Sequence, residues 1–418
     1  MVKVIRGGTL VDGTGKEPIK DCMVVIEGST IVAVGKENEM EIPKEAVIIE
    51  TDHKVVMPGL IDAELHLMGE KTEPPVPLQR VTGGSIPLRA IRAAVDARNL
   101  LYAGYTAIRD LGSYSSTSAI ALKRAIEEGT VQGPRIMAAI WLNSTSSPLI
   151  ESQVISKEWL SASSAWHPPI DGVVECIRAV RQAISDGADL IKIMTTGGTM
   201  KKESPKAAAR PTWTIEEIRA IVTESHRLGV RVAAHAVAGK GIRNAIEGGV
   251  DTIEHGFHAD REDFRMMVER NIILVPTLSA VYRMSKSETL PSYVVERAKK
   301  QLQQGLKGVK KALKAGVMIA SGSDQPFEQG AENALELELL VKAGMTEMKA
   351  IKAATKIGAK AWGDDENVIG TVEEGKLADI IIVNGNPCKD IKILQDKENI
   401  GLVMKGGEII VNRGVETS

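Results

Sequence analysis

The sequence has very little cysteine: only Cys22, Cys176 and Cys388 in 418 residues, all far apart. An odd number of separated cysteines with no CxxC pair argues against a disulfide framework and against a zinc site built from thiolates. This usage is typical of a reducing compartment. We therefore expect a cytoplasmic protein.

The chain also lacks a dominant charge and long apolar runs. Its formal net charge is −2, so no overall field would attract nucleic acid or an anionic membrane. It has no uncharged apolar run of about 18 residues, the length that a membrane-spanning helix needs. We therefore expect neither nucleic acid nor a membrane as a partner. With only three phenylalanines, the core should be aliphatic.

Two strand patterns divide the chain. Short alternating β segments occupy residues 1–56 and return after residue 368, at 369–375, 378–383 and 400–407; this alternation is typical of strands with one buried face. Between them, fully apolar strands alternate with helical patterns, as buried parallel strands do. Those strands are the one that leads to Glu64, followed by 105–109, 135–141, 190–194, 230–235, 252–255, 272–275 and 317–320.

Eight strands alternating with helices predict an α/β fold, a (β/α)8 TIM barrel at residues 57–367. Both termini, residues 1–56 and 368–418, are predicted to form a small β-sandwich domain. Two helices carry local signals: Thr214 precedes Glu217 at the spacing of a capping box, and apolar residues recur at helical spacing over residues 172–185.

Histidines close three of the predicted strands. Glu64 and His66 lie two positions apart at the end of the first strand, and His235 and His255 end two later ones. Asp324 follows the last strand. Residues i and i+2 of a strand point to one side, and a barrel brings all its strand C-termini to one face. One such histidine would be an ordinary polar residue, but three with an aspartate predict a metal site.

Lys192 lies inside the apolar strand LIKIM at residues 190–194. Burying an ammonium group without a partner is costly, so two interpretations are open. The lysine can reach an exposed end or pair with a carboxylate. Alternatively, its neutral amine reacts with CO₂ beside metal ions and gives a carbamate that bridges two cations.

These motifs together resemble the amidohydrolase superfamily, over nearly the whole chain. The resemblance rests on PGLIDA at 58–63, GADLIK at 187–192, IEHG at 253–256 and Ser323-Asp324, with the tail GTVEEGKLAD at 370–379. Gly197-Gly198 and ENALELE at 332–338 look closest to the imidazolonepropionase-like branch. That branch includes metal-dependent prolidases, dipeptidases and carboxypeptidases.

The resemblance implies a metal-dependent hydrolase of amide or peptide bonds in small substrates. Asp324 would help to hold one divalent ion and act as general acid and base, and carboxylated Lys192 would bridge this ion to a second. A hydroxide between the ions would attack the amide carbonyl. The cofactors would be one or two divalent ions, zinc or manganese, and the assembly a homo-oligomer. The implied metal ligands are Glu64, His66, Lys192, His235, His255 and Asp324.

The sequence departs from the superfamily pattern at two places. The first ligand pair is usually His-x-His, whereas here Glu64 comes first and adds one negative charge. Relatives in this branch often carry Gly-Gly-His after the third strand, where this chain has WLNS at 141–144. Two alternatives stay open. The activity after which the branch is named suggests hydrolysis or deamination of a cyclic amidine or lactam, and the two departures suggest an inactive relative that binds a ligand or only assembles.

The loop at residues 197–210 carries four cationic side chains and one acidic one. It is either a solvated loop or the place where Lys201, Lys202 or Arg210 attracts the carboxylate of a dipeptide or other small substrate. His258 and Arg261 lie just beyond a predicted metal ligand and are further candidates for substrate binding.

Overall fold

A computed structural model describes residues 2–67, 85–112, 116–146, 169–197, 210–324, 330–363 and 367–418. Fifteen strands occur in this part of the chain. They are β1 (Val2–Leu10), β2 (Ile19–Glu27), β3 (Thr30–Lys36), β4 (Val47–Glu50), β5 (Val55–Pro58), β6 (Leu60–Leu65), β7 (Tyr105–Asp110), β8 (Arg135–Leu142), β9 (Leu190–Met194), β10 (Arg231–Ala236), β11 (Thr252–His255), β12 (Ile273–Val275), β13 (Ile380–Val383), β14 (Ile400–Lys405) and β15 (Glu408–Asn412).

Strands from both ends of the chain form one sheet, in the order β15-β14-β13-β5-β1-β2-β3, with β4 paired to β1. Side chains from the two ends, such as Ile26 and Leu402, share one apolar core. The predicted strand at 369–375 is wrong. Gly370 and Gly375 both have a φ of 83°, a left-handed conformation that interrupts extended backbone, and turns occupy this segment.

The second sheet consists of seven parallel strands, β6 to β12 in sequence order. The predicted eighth strand forms only an isolated bridge at Ile319, which pairs with Leu274 of β12. Its backbone nevertheless closes the ring, because Leu274 donates to Met318 on one side and Ala63 of β6 donates to Ser321 on the other. The predicted α/β fold, a (β/α)8 barrel with an added β domain, is therefore confirmed, whereas the domain bounds at 57–367 stay a prediction.

Helices follow the barrel strands. The described helices are α1 (Ile86–Tyr102), α2 (Ser116–Glu127), α3 (Val173–Ser185), α4 (Ile215–Arg227), α5 (Gly239–Gly248), α6 (Arg261–Glu269), α7 (Leu278–Met284), α8 (Ser292–Ala315), α9 (Leu335–Lys342), α10 (Glu347–Ala353) and α11 (Lys356–Trp362). The capping box predicted at the start of α4 is present, and α3 begins directly after Gly172. Across the described ranges, no helix has both the length and the apolar character to cross a bilayer.

Glu336 of α9 is a fully buried carboxyl group that does not belong to the predicted site. Its Oε2 accepts a hydrogen bond from the backbone N–H of Ser279 at 2.7 Å. Burial raises the pKa of Glu336 to about 8, and the nearby Asp62 carboxyl adds to this effect. Glu336 is therefore protonated in the folded protein under conditions that ionise it in the unfolded chain.

Replacing Glu336 by glutamine should flatten the dependence of stability on pH. Because its folded pKa lies above the unfolded one, Glu336 contributes most to the free energy of unfolding below about pH 4.5. This contribution falls as pH rises to about 8, by at most about 1.4 kcal/mol per pH unit. Glutamine stays neutral and removes this contribution. Urea unfolding at several pH values measures it. Glu338→Gln on the same helix is the control, because the pKa of Glu338 is lowered, mainly by Lys342. Parallel curves for Glu336→Gln and the wild type would contradict the assignment.

Candidate metal centre

The six predicted ligand residues all lie on barrel strands or directly beyond them. Glu64 is in β6 and His66 follows it; Lys192, His235 and His255 belong to β9, β10 and β11; and Asp324 follows the segment that closes the barrel. The strands are parallel, so their C-terminal ends meet at one face of the barrel.

Glu64, His66 and Asp324 form a group that connects β6 to the segment that closes the barrel. One potential ligand atom each from Glu64, His66 and Asp324 lies within 4.8 Å of the other two, and His66 Nε2 is 3.2 Å from Asp324 Oδ1. The backbone fixes this group, since the N–H groups of Ser323 and Asp324 both donate to the Glu64 carbonyl, at 2.9 and 2.8 Å. Asp324 has a φ of 50°, an uncommon conformation that turns its side chain at the strand end.

Lys192 is paired with Glu64. Its Nζ lies 2.9 Å from Glu64 Oε1, and both side chains are at most 2% exposed. Of the two interpretations of this buried lysine, the structure therefore has it beside a carboxylate, while the carbamate stays a proposal. The other oxygen, Glu64 Oε2, is buried and finds no hydrogen-bond partner among the described residues.

His235 and His255 form the second half of the site. Their ring centroids are 4.5 Å apart, with an interplanar angle of 70°. His255 Nε2 lies 3.9 Å from Glu64 Oε1, and its Nδ1 lies 4.0 Å from Asp324 Oδ2, so the two halves are in contact. Thr277 Oγ1 is 2.6 Å from His255 Nδ1 and orients the ring.

Two neighbours fix the ring of His66. Its Nδ1 is 2.5 Å from the Gly112 carbonyl, a contact that requires a proton on Nδ1. Nε2 is then an acceptor in the neutral ring and donates to Asp324 in the protonated one. Trp141 meets the same ring edge-on, with centroids 5.7 Å apart, and its indole N–H donates to the Leu111 carbonyl. A Cβ at position 112 would lie 2.4 Å from Trp141, so only glycine fits there. Trp141 therefore packs against a predicted ligand.

The electrostatics keep the two inner histidines neutral. Burial lowers the pKa of His255 to about 4 and that of His235 well below its usual value, with His255 adding to the latter effect. Burial opposes ionisation of Asp324, but the hydrogen bond from His66 and the nearby histidines outweigh it and lower the pKa of Asp324 to about 2. Burial raises the pKa of Glu64. Neutral imidazoles beside an ionised carboxylate are the donor forms that bind metal.

These residues fit a divalent metal centre. Their donor atoms are imidazole nitrogens and carboxylate oxygens, the set that suits zinc and, with more oxygen, manganese. Glu64 Oε2 accepts no hydrogen bond from any residue that the structure describes. A buried acceptor in this state is costly, and a cation would satisfy it.

The candidates for substrate binding are less well placed. Arg210, His258 and Arg261 are exposed, and their role stays a prediction. Lys201 and Lys202 lie outside the described residues. Where relatives carry Gly-Gly-His, this chain buries Asn143 and Ser144.

Sequence reasoning missed three residues that support the ligands. Asp62 Oδ1 accepts the backbone N–H groups of Glu64 and Ser323, at 3.1 and 3.0 Å, and so joins the first strand to the last. Thr277 contacts His255, and Arg109 lies fully buried inside the barrel. A signal existed for Arg109, because it interrupts the apolar β7 as Lys192 interrupts β9. Thr277 has no such signal.

Comparison with known proteins agrees with this geometry. The amidohydrolase family model matches residues 55–410. Ochratoxinase of Aspergillus niger is 33% identical over 435 aligned residues, covering 99% of this chain and 88% of that protein. Imidazolonepropionase of Geobacillus thermodenitrificans is 24% identical, covering 95% of this chain and 91% of that protein. The crystal structure of a Xaa-Pro dipeptidase with bound methionine in the active site has a TM-score of 0.86 at 33% identity, covering 98% of this chain and 99% of that one.

The family match spans most of the chain, including all six ligand candidates. The resemblance seen in the sequence motifs is thereby confirmed. The chain belongs to the amidohydrolase family and is an enzyme that hydrolyses C–N bonds.

Proposed function

We propose that this enzyme is a metal-dependent hydrolase of amide or peptide bonds in small substrates, a dipeptidase or a prolidase-like carboxypeptidase. The observation that carries this proposal is the group of buried Glu64 and partly buried His66 and Asp324, one ligand atom of each lying within 4.8 Å of the other two, beside Lys192 and two neutral histidines. Similarity to a Xaa-Pro dipeptidase over 98% of the chain favours dipeptides with proline as substrates. We further propose a cytoplasmic location and a homo-oligomeric assembly.

The proposed ligand assignment follows the two halves of the site. Glu64, His66 and Asp324 would hold one divalent ion, and His235 and His255 the other. When bound, two such cations supply an activated water molecule and polarise the amide carbonyl. The extra carboxylate of Glu64 favours an oxygen-tolerant ion, so manganese competes with zinc.

Lys192 lies between the two halves and would become the bridging ligand. Its ammonium group would give up one proton, and the amine a second as it adds to the carbon of CO₂; both protons pass to solvent, and the product is a carbamate anion with two oxygens. This step must separate the Lys192 ammonium from Glu64, which it contacts at 2.9 Å. With Glu64 as a metal ligand, this exchange would be favourable, so metal binding and carboxylation should occur together.

Asp324 would carry the proton. Its carboxylate is ionised and lies beside both His66 and His255, so it can accept the proton of the attacking water. It then gives this proton to the nitrogen of the leaving amine as the C–N bond breaks.

A second candidate is hydrolysis or deamination of a cyclic amidine or lactam. The observation in its favour is the similarity to imidazolonepropionase across 95% of the chain. An inactive relative is less well supported, because Glu64 still presents a free, buried oxygen to the site.

Metal analysis together with a substrate panel tests these proposals. Protein purified without chelator should contain about two zinc or manganese ions per chain. It should cleave Xaa-Pro dipeptides or N-acyl amino acids faster than lactams or imidazolones, and removal of the metal should abolish this turnover. The reverse order of rates would favour the cyclic substrates.

The variant Glu64→His tests whether the carboxylate at this position impairs metal binding. If the carboxylate weakens zinc binding, this imidazole should raise the zinc content. A chain that stays free of metal and inactive after incubation with zinc, manganese and bicarbonate, with Glu64 or with His, would overturn the proposed function.

A further inference from the structure

We propose that Arg109 is a positioning residue, which fixes the two halves of the metal centre relative to each other through the interior of the barrel. This inference rests on the proposed function, because it concerns the same ligands. Arg109 belongs to β7 and is 1% exposed. Its guanidinium group is wholly inside the protein, below the ligand residues of the strand ends.

The hydrogen bonds of Arg109 end on residues that directly precede two ligands. Its Nε donates to the Ala63 carbonyl at 2.5 Å, one residue before Glu64. Its Nη2 donates to Glu254 Oε1 at 3.0 Å, one residue before His255. One planar group thus contacts a strand of each half of the site.

These two strands are not neighbours. In the barrel sheet, β6 is next to β7, whereas β11 is four strands away from β7. The side chain of Arg109 therefore crosses the interior of the barrel. Its Nη1 adds bonds to Thr252 Oγ1 at 3.2 Å and to the Ala361 carbonyl at 3.0 Å, so the guanidinium group is held on three sides.

Stability alone does not account for this arrangement. Glu254, the carboxylate partner of Arg109, is 0% exposed, and a fully buried ion pair is often no more stabilising than apolar side chains of the same volume. The pair instead fixes the relative position of the groups that it connects. The five N–H groups of a guanidinium group have a fixed planar geometry, so the distance between the Ala63 carbonyl and Glu254 is set by a rigid body.

Arg109 also provides the charge partner of Glu254, which directly precedes the ligand His255. Without Arg109, the unpaired Glu254 carboxylate would compete with Glu64 for Lys192 or for a metal ion.

The test compares the variants Arg109→Met and Arg109→Lys with the wild type. Metal-free protein is titrated with Zn²⁺ and with Mn²⁺ against a chromophoric chelator, and the melting temperature of each metal-free variant is recorded. Loss of a residue that supports ligands typically weakens metal binding about 10–100-fold. We expect this loss for Arg109→Met and most of it for Arg109→Lys, because an ammonium group keeps the charge but not the planar geometry.

Arg135→Met is the matched control. Arg135 also forms a pair with a buried carboxylate, Asp379, through Nε at 2.9 Å, but it lies at the opposite, N-terminal end of a barrel strand. This variant should lower the melting temperature and leave metal affinity unchanged. If Arg109 had only a structural role, its variants would also have a lower melting temperature and an unchanged metal affinity.

The outcomes distinguish failure of this inference from failure of the proposed function. Wild-type metal affinity in Arg109→Lys and Arg109→Met overturns the inference and leaves the proposed function intact, and if Arg109→Met does not fold, Arg109→Lys decides alone. A wild-type chain that binds metal but cleaves none of the amides overturns only the proposed function. A wild-type chain that binds neither ion overturns both, since there are then no ligands to position.

Discussion

The variant Asp324→Asn should hydrolyse amide substrates about 100 to 10,000 times more slowly than the wild type, the contribution typical of a positioned acid or base. Asparagine has nearly the same shape, and its amide oxygen can still face a cation. It cannot accept the proton of the attacking water, nor can it return one to the leaving amine. The loss should therefore appear in kcat at saturating metal and substrate, with little change in metal content.

A second pair of histidine and aspartate provides the control. Asp251 lies 2.8 Å from His226, and its side chain is 21% exposed, as is that of Asp324. This pair lies at the start of β11, the end of the strand opposite the metal centre. Asp251→Asn should leave kcat unchanged. If Asp324→Asn retains more than about a tenth of the wild-type kcat with its metal in place, another group carries the proton.

The sequence places the six candidate ligands at strand ends because strand ends follow from simple rules. Buried parallel strands are recognisable as short apolar runs, and the barrel brings their C-termini together. His235 and His255 could therefore be assigned to one site although they lie on different strands. The partner of Lys192 does not follow from the sequence, since the pairing with Glu64 depends on the distance across the barrel.

Other features depend on contacts that no local pattern encodes. Thr277 orients His255 only because the chain after β12 takes a left-handed turn, with a φ of 48° at Thr277. The eighth strand was overestimated because its segment is extended and apolar but makes few regular pairs, and only Ile319 bridges to β12. Arg109 could have been predicted from the sequence, because a charged residue in an apolar strand is the same signal that identified Lys192.

Lys192→Arg is the change that separates the two interpretations of the buried lysine. Arginine can still pair with Glu64, so the charge arrangement of the metal-free site persists. It stays protonated under all ordinary conditions and cannot form a carbamate. If a carbamate bridges the ions, this variant should lose at least one of the two metal ions. Its rate of hydrolysis should then fall by at least about 100-fold, because one catalytic ion has lost a ligand.

Carbon-13 NMR with labelled bicarbonate gives a readout that does not depend on activity. The wild type with metal should show a carbamate resonance that Lys192→Arg lacks. Lys123→Arg is the control, because Lys123 also pairs with a carboxylate, at 2.6 Å from Asp189 at the start of β9, but on the outside of the barrel. It should keep metal, resonance and rate. If Lys192→Arg binds two ions and turns over at the wild-type rate, Lys192 acts only as the counter-ion of Glu64.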